Sequence, residues 1–589
     1  MRGRRFALTR VRQESYPVRC RKNFIDICAG AFAPAIAAAS NAPQYPRGVV
    51  SIFSKLFALI VILLGWSTSL AQTGVFTYHN DVSRTGQNTS EHILTPTNVG
   101  SHEFQKIATY KVDGDVYAQP LYAPGLAIPG KGIRNVVFIA TEADSVYAFD
   151  ADGGADPASD ILWHVSLVNT EHGATPVSAV DLGCAAISPQ IGITSTPVID
   201  PVRKILFVET FSKENGVLLH RLHALELATG AQKQGSPVVV TGLRHFDPGH
   251  QLSRAGLLLS QDVVYVAYGG NCDKPPYQGW LLAYDARHLT LRGQFSTAPV
   301  HGKAAIWMGG AAPAADTNGK IFLATADGYF DTEAVPAREL GNSILRLILT
   351  NRGLVVDDYF TPFDQLSLAR HDGDLGSGGV LLLPRQLGDH FPLLVQSGKM
   401  GTLYVVDRDH MTAGGRHYCA GCDSDRQIVQ ALPDAVIGGV WGMPAYWNSL
   451  IFTGGSGDVL RAFSLRNGHI DPVPASLSRH HCQYPGCGLS VTSNGNSDAI
   501  LWALQAGECT SNEPAVLKAY AAVDLGTEVY SSDKQGKRDD LGCGVRFSIP
   551  TVGNGRVFVG GSGQWSVFGL IENQQAGMLQ SSPAVNPQG

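Results

Sequence analysis

The sequence predicts an all-β protein that forms a single eight-bladed β-propeller of four-stranded antiparallel blades. Short apolar and aromatic runs separated by Gly, Pro, Asn and Asp are typical of strands and turns, and they fill the chain after Gln72. One strand motif returns eight times at a mean spacing of about 60 residues. A lone strand over Phe104–Val112 precedes the first repeat, so it can pair with the last sheet and close the ring.

The repeated motif is an apolar strand that often ends in an acid. Its copies are VYAFD at Ala148, LHALE at Ala224, LLAYD at Ala283, ILRLI at Arg346, LYVVD at Val405, LRAFS at Ala462, LKAYA at Ala519 and SVFGL at Phe568. A second apolar strand precedes the copies, as in VVFIAT (136–141), and several have a third strand with Pro or Gly. Such sheets bury both faces only by stacking radially. Two stacked β-sandwiches, the alternative, do not explain the repeat.

The first 71 residues differ from the rest and predict an export signal. An apolar run, LFALIVILLGW (56–66), follows basic residues and precedes a small-residue cleavage pattern. The run is too short for a stable bilayer span. We therefore expect residues 51–71 to be a signal peptide cleaved after Ala71, with an uncleaved anchor as the alternative. Residues 1–50 are interpreted either as a long basic n-region or, preferably, as an extension caused by a start codon placed too far upstream.

The remaining chain divides into a propeller over residues 72–572 and a polar tail over 573–589, which we expect to be flexible. Of the 589 residues 44% are hydrophobic and 16% charged, which argues against a disordered or coiled-coil protein. Residues 1–71 hold ten of the 45 Lys and Arg but two of the 50 Asp and Glu, so the mature chain has a formal charge of −13. That charge argues against nucleic acid partners. We expect a periplasmic or extracellular monomer without a membrane span.

Eight cysteines follow the expected cleavage site, and an even number in an exported chain favours disulfide bonds. The expected pairs are Cys419–Cys422, Cys482–Cys487, Cys184–Cys272 and Cys509–Cys543. The alternative is a zinc site built from the first two pairs with His480 or His481, because thiolates at these spacings can close a tetrahedral shell. Oxidation on export favours the disulfides.

Several segments of the mature chain carry a family resemblance. They include strand pairs such as VVFIATEADSVYAFDADGG and the stretches YHNDVSRTGQN (78–88), DGDVYAQPLY (113–122) and GKMGTLYVVDRD (398–409). These segments resemble the repeats of the quinoprotein alcohol dehydrogenase-like superfamily, whose eight-bladed propellers bind pyrroloquinoline quinone. The likeness covers residues 75–572 and is greatest to a secreted bacterial branch of obscure function. It implies pyrroloquinoline quinone and calcium as possible cofactors.

The resemblance also implies candidate site residues. Lys399 takes the position of a lysine that contacts the cofactor, and its ammonium could pair with a quinone oxygen or carboxylate. Without the resemblance, Lys399 is interpreted as a solvated turn lysine. Asp327, in the turn LATADGYFD (323–331), stands where the family has an asparagine that binds calcium. Its alternative is a plain Asp-Gly turn.

Further candidates come from the catalytic acid and the stacking surface of the family. Glu339 is the acid nearest to the position of the catalytic aspartate, although Gly341 and Asn342 fill the turn itself. Trp307, Trp441 and Trp502 could stack on a quinone, but such tryptophans are more often part of a core.

Departures from the family decide between the functional hypotheses. The sequence has no adjacent Cys-Cys pair, few of the family's tryptophan docking motifs, and no CxxCH haem motif, since Asp423 follows CAGC. We therefore favour an exported propeller that binds a small molecule or protein partner without catalysis. The alternative is a periplasmic dehydrogenase that uses a quinone and calcium to oxidise an alcohol or sugar. A third interpretation, carbohydrate binding, depends on exposed loop aromatics such as Tyr277 and Tyr446.

Overall fold

The computed structural model describes residues 73–154, 158–332, 338–386, 392–506 and 514–571. The expected N-terminal extension, signal peptide and polar tail lie outside the described residues. Eight sheets follow one another along the described chain, which confirms the predicted eight-bladed propeller. Their strands pair antiparallel, apart from the short strand Gln87–Asn88, which is added parallel to Cys487–Asn494. Blades are numbered from the first repeat.

Each of blades 1 to 4 contains a four-stranded meander in chain order. The strands are Leu121–Ile128, Gly132–Ala140, Ser145–Asp150 and Ile161–Ser166 in blade 1; Val198–Asp200, Ile205–Glu214, Val217–Glu226 and Val238–Val239 in blade 2; Leu258–Ser260, Val263–Gly270, Trp280–Asp285 and Leu291–Ser296 in blade 3; and Ala314–Ala315, Ile321–Ala324, Ile344–Thr350 and Gly353–Phe360 in blade 4.

Blades 5 to 8 repeat the pattern. Their strands are Leu381–Leu382, Leu393–Gln396, Leu403–Asp407 and Gln430–Leu432 in blade 5; Ala445–Trp447, Leu450–Thr453, Val459–Arg466 and Ser476–His481 in blade 6; Cys487–Asn494, Ser497–Gln505, Val516–Ala521 and Glu528–Ser531 in blade 7; and Thr551–Gly553, Arg556–Gly561 and Gln564–Leu570 in blade 8. Short strands extend some sheets: Ala174–Ser178 and Gln190–Ile191 in blade 2, Gln251–Leu252 in blade 3 and His469–Ile470 in blade 6.

Helices are few and short in the described residues. They are Pro96–Val99, Ala179–Leu182 and Gln365–Arg370, with 3-10 turns at Thr170–His172, Met308–Gly310, Leu375–Ser377, Ala413–Gly415 and Ser532–Arg538. None of these described helices has the length and apolar character needed to cross a membrane.

The ring closes through the strand predicted for that purpose. Phe104–Lys111 supplies the fourth strand of blade 8 by pairing antiparallel to Gln564–Leu570, from Phe104 opposite Leu570 to Lys111 opposite Gln564. The edge strand of the last sheet is therefore covered by residues from the beginning of the described chain.

The apolar runs of the sequence reflect burial of both faces of each sheet. In the second strand of blade 3, Val263, Tyr265 and Ala267 pack toward blade 4, whereas alternate residues such as Val264 and Val266 pack toward blade 2. Because successive strand side chains point to opposite faces, a blade with a neighbour on each side needs apolar residues at every position. This explains why the strands read as continuous apolar runs.

Residues 75–88, here called the inner segment, link the blades around the axis. Their backbone pairs with Tyr122 in blade 1 and accepts hydrogen bonds of 2.7–2.9 Å from backbone N–H groups in five other blades: Ile199, Ala315, Leu382, Tyr446 and Val491. All these partners belong to the first strand of their blade. One short segment can reach the first strands of six sheets only if those strands surround the axis. The inner segment therefore lies inside the ring and fills part of its channel.

Three of the predicted disulfides are confirmed. Cys184–Cys272, Cys419–Cys422 and Cys482–Cys487 are paired, with Cα–Cα distances of 6.3, 5.5 and 5.4 Å. Cys543 is also disulfide-bonded, and its expected partner, Cys509, lies outside the described residues. The zinc alternative is wrong, because the four sulfur atoms that it needs as thiolates are joined in pairs.

Candidate functional site

A pocket of 270 Å³ lies on the ring axis and is lined by the segments that lead into the first strands. All eight blades contribute, through Tyr117, Ile187, Arg254, Trp307, Asp374, Trp441, Tyr484 and Phe547. In an antiparallel meander, the turn between the second and third strands returns to the end where the first strand begins. Such turns bring Asp273 of blade 3 and Lys399 of blade 5 to the same pocket.

The axial pocket differs from a wider surface cleft of 680 Å³ between blades 2 and 3. The basic groups of that cleft are already neutralised, since Arg203 bridges Asp200 and Asp262 at 2.5 and 2.6 Å, and Lys233 pairs with Glu226 at 3.0 Å. Cavity size alone therefore does not identify a ligand site, and the charges of the axial pocket are more informative.

Arg254 is the most unusual cation of the axial pocket. Its side chain is 6% exposed, and its guanidinium carbon lies 5.0 Å from the ring centroid of Tyr117 and 4.7 Å from that of Phe547. Among the described residues the guanidinium makes one hydrogen bond, a long one of 3.4 Å to the carbonyl of Arg546. Burial lowers the pKa of Arg254. The pocket thus contains a desolvated cation with unused donors between two aromatic rings.

Lys399 reaches the pocket from the turn of blade 5. Its Nζ lies 2.8 Å from Oδ1 of Asp372, 2.8 Å from Oδ2 of Asp374 and 6.0 Å from the ring centroid of Trp307. The side chain is 16% exposed, so the interpretation as a solvated turn lysine is wrong. Burial opposes its charge, but the two carboxylates outweigh that effect and raise the pKa of Lys399.

A glycine allows this approach. A Cβ on Gly398 would lie 2.4 Å from the carbonyl oxygen of Asp374, a distance that no side chain tolerates. The backbone N–H of Lys399 donates to that carbonyl at 3.0 Å. The two loops that carry Lys399 and Asp374 are therefore held together by backbone contact as well as by charge.

Asp327, Asp372 and Asp374 form an acidic cluster whose carboxylate oxygens lie within 4.8 Å of one another. The backbone N–H of Asp327 donates to Asp374 at 2.7 Å, and its carboxylate accepts from Lys303 at 3.1 Å. Burial raises the pKa of Asp374 to about 6, although the Lys399 ammonium opposes the shift. The predicted calcium ligand thus lies beside the predicted cofactor lysine.

Trp307 and Trp441 line the pocket with partly exposed rings, as a stacking surface requires. Trp307 meets Phe547 edge to face at 6.2 Å, and Trp441 meets Tyr484 in the same way at 5.5 Å. The structure therefore brings Lys399, Trp307 and Trp441 together in one pocket, with Asp327 joined to it through Asp374.

Other candidates lie elsewhere. The Glu339 carboxylate is buried and accepts from the backbone N–H groups of Val300 and His301 at 2.9 and 3.2 Å, away from the residues that line the pocket. Trp502 is completely buried in blade 7, where its Nε1 donates to Thr492 at 2.8 Å. These contacts give both side chains a structural role in the described residues.

The expected exposure of Tyr277 and Tyr446 is wrong. Their exposed fractions are 4% and 8%. Tyr277 lies flat over Gly270, where a Cβ would come within 2.7 Å of the ring, and Tyr446 belongs to the first strand of blade 6. The aromatic surface proposed for carbohydrate binding is therefore not formed by these residues.

Sequence reasoning missed Arg254, Phe547 and Tyr117. Their signal was positional, because each lies four residues before the first strand of its blade, at the same point of the repeat as Trp441. Aligning the eight repeats on their first strands would have placed these residues at the axis.

No family model and no curated protein matches the sequence. Solved structures do match, among them the quinohemoprotein alcohol dehydrogenase from Comamonas testosteroni, with a TM-score of 0.55 at 14% identity over 85% of this chain and 82% of that one. A europium-containing methanol dehydrogenase matches with a TM-score of 0.54 at 13% identity over 86% of this chain and 100% of that one. These similarities confirm the predicted fold, an eight-bladed β-propeller.

Proposed function

We propose that this protein is an exported propeller whose axial pocket binds a small, flat, anionic aromatic molecule, for which pyrroloquinoline quinone is the best chemical probe. The single observation that supports this most is Arg254, a buried guanidinium that lies between two aromatic rings and makes one long hydrogen bond. Because burial removes most of the water from this cation and the protein replaces little of it, a ligand that supplies hydrogen-bond acceptors in the pocket would bind there favourably.

The other pocket residues fit the same ligand chemistry. The partly exposed rings of Trp307 and Trp441 offer flat surfaces for stacking. The lining contains Arg254, Arg546 and Lys399 against Asp273 and Asp374, a formal excess of one positive charge. Planar guanidinium groups match carboxylates in two-point contacts. A volume of 270 Å³ is near the lower end of known ligand pockets, about 300–1,000 Å³, and this favours a small ligand.

Calcium does not fit the site as it is built. The acidic cluster that would supply its oxygen ligands already holds the Lys399 ammonium between Asp372 and Asp374, while Lys303 pairs with Asp327. We therefore derive no step through a metal ion. Pyrroloquinoline quinone does fit, with Arg254 and Lys399 as anion partners and Trp307 and Trp441 as stacking partners.

The dehydrogenase alternative has one observation in its favour. Asp273 and Asp374 line the pocket, and burial raises the pKa of both carboxyls, that of Asp374 to about 6, which favours their acting as proton acceptors. These acids, rather than Glu339, are the candidates for a base that removes a hydroxyl proton. Any quinone bound nearby would supply the hydride-accepting chemistry.

Titration of the exported protein with pyrroloquinoline quinone tests the proposal. We expect saturable quenching of tryptophan fluorescence with a Kd of about 10 μM or lower, and much weaker quenching by the uncharged trimethyl ester of the same quinone. Trp441→Leu should weaken binding, whereas Trp163→Leu in blade 1, outside the pocket, should not.

The same sample separates the two functions. Dye reduction with alcohols or aldoses after loading would establish the dehydrogenase alternative, and binding without turnover would support the ligand-binding function. Equal quenching by acid and ester, or no saturation at about 100 μM, would refute an anion-binding pocket.

A further inference from the structure

The acidic cluster has the geometry of a cation site. Asp327, Asp372 and Asp374 come from two different loops, and one carboxylate oxygen from each lies within 4.8 Å of the others. Oxygen ligands gathered this closely suit a hard cation. Three carboxylates at such distances also repel one another strongly unless a positive charge lies among them.

That positive charge is the ammonium of Lys399. Its Nζ lies 2.8 Å from an oxygen of Asp372 and 2.8 Å from an oxygen of Asp374, and both distances are typical of charge-assisted hydrogen bonds. Asp374 is buried, so its carboxylate has little water available as an alternative partner. Lys303 supplies a second ammonium at 3.1 Å from Asp327.

The two lysines already compensate most of the charge of the cluster before any ion arrives. Two ammonium groups face three carboxylates, and the negative charges of Asp327 and Asp372 also act on the nearby carboxyl of Asp273. A divalent ion would have to displace Lys399, whose loop is fixed by the backbone hydrogen bond to Asp374 and by the close packing of Gly398. Displacement would leave the ammonium without partners in a mostly buried place.

We propose that the Lys399 ammonium is the resident cation of the axial site and that the site works without a divalent metal. This one ammonium group then does two things: it pairs with both Asp372 and Asp374, and it remains beside the Trp307 ring at 6.0 Å, at the wall of the pocket that would hold a bound anion. The ligand part of this inference rests on the proposed function, whereas the metal part does not.

Terbium luminescence tests the metal part directly. Tb³⁺ is a hard, oxygen-seeking ion, and Trp307 lies close enough to the cluster to sensitise its emission. We expect no saturable emission from the wild-type protein. Lys399→Met removes the ammonium from the cluster and should create a Tb³⁺ site with a Kd of about 10 μM or lower. Calcium should displace Tb³⁺ from that site. The double variant Lys399→Met/Asp374→Asn should lose that site.

Lys518→Met is the matched control. Lys518 is another buried lysine beside two acids, at 3.6 Å from Glu528 and 3.6 Å from Asp533, in blade 7. Its removal should not create terbium emission. Circular dichroism, recorded before the titration, establishes that each variant is folded.

Two results would overturn the proposal. Saturable terbium or calcium binding by the wild-type protein that disappears in Asp374→Asn would show that a metal displaces Lys399. A folded Lys399→Met variant without terbium emission would show that the carboxylates do not form a cation site.

Ligand titration tests the remaining part. The Kd for pyrroloquinoline quinone should be the same in calcium and in EDTA, within a factor of two or so. A change of about tenfold or more would refute metal-free binding. No quinone binding in either buffer would refute the proposed function and leave the terbium result standing, so the two failures are distinguishable.

Discussion

Two buried arginines on the ring axis, Arg84 and Arg254, have opposite environments. Arg84 belongs to the inner segment and is completely buried, and it donates to the carbonyl of Pro313 at 3.0 and 2.7 Å, to the hydroxyl of Thr77 at 2.7 Å and to the carbonyl of Tyr78 at 2.8 Å. Arg254 lies in the axial pocket with a single hydrogen bond of 3.4 Å. Of these two buried arginines at the axis, only Arg84 therefore has its donors filled by the described residues.

This difference indicates a structural role for Arg84 and a ligand-binding role for Arg254. Burial lowers the pKa of both arginines, to about 10 for Arg84. At Arg84 the hydrogen bonds offset the loss of hydration and connect the inner segment to blade 4 through Pro313. At Arg254 one long hydrogen bond and two aromatic contacts offset less of that loss. Folded proteins retain such destabilising groups mainly where a ligand uses them.

The largest expected effect is on stability at the inner segment. Arg84→Met should lower the free energy of unfolding by about 4 kcal/mol, because it leaves buried oxygens of Pro313 and Tyr78 without donors and opens space in the channel. Urea denaturation followed by tryptophan fluorescence measures the change. Arg352→Met, at an exposed turn of blade 4, is the control and should change stability by about 0.5 kcal/mol or less. A loss at Arg84 as small as that would contradict its structural role.

The corresponding change in the pocket should affect affinity instead. Arg254→Met removes a buried charge without full hydrogen bonding, so stability should stay the same or rise slightly. The Kd for pyrroloquinoline quinone should increase about tenfold, equivalent to about 1.4 kcal/mol. Isothermal titration and urea denaturation of the same sample measure both quantities. The comparison fails if Arg254→Met destabilises the protein as much as Arg84→Met does.

The sequence was sufficient for the fold because the repeat is local. Each strand motif signals its own blade, and the unpaired strand before Ala148 signals closure, so the ring follows from the count of copies. Lys399, Trp307 and Trp441 were identified through the family resemblance. Their meeting in one pocket follows from the blade topology, since the segments before the first strands and the turns between the second and third strands lie at the same end of the blades.

What the sequence did not reveal depends on contacts between distant residues. The inner segment was noted for its likeness to the family, but its hydrogen bonds join it to blades as far along the chain as Val491. Arg84 and Arg254 look alike in sequence, and only their partners distinguish them. Tyr277 was expected to be exposed because it lies in a loop after two prolines. Its ring is buried because Gly270, which has no side chain, allows the ring to pack directly on its backbone.

The smallest expected effect is a pH dependence of the ligand affinity. It arises at the edge of the pocket, where Asp374 and a bound anion would both interact with the Lys399 ammonium. Burial raises the pKa of Asp374 to about 6, so its carboxyl gains a proton as the pH falls through that value. Loss of this negative charge leaves Lys399 more available to the ligand, and the affinity for pyrroloquinoline quinone should rise about threefold between pH 7.5 and pH 5.5. Asp374→Asn should bind with the higher affinity at both pH values, because its side chain is neutral throughout. An affinity that falls with the pH in the wild-type protein, or an equal slope in Asp374→Asn, would show that Asp374 does not modulate the charge of the pocket.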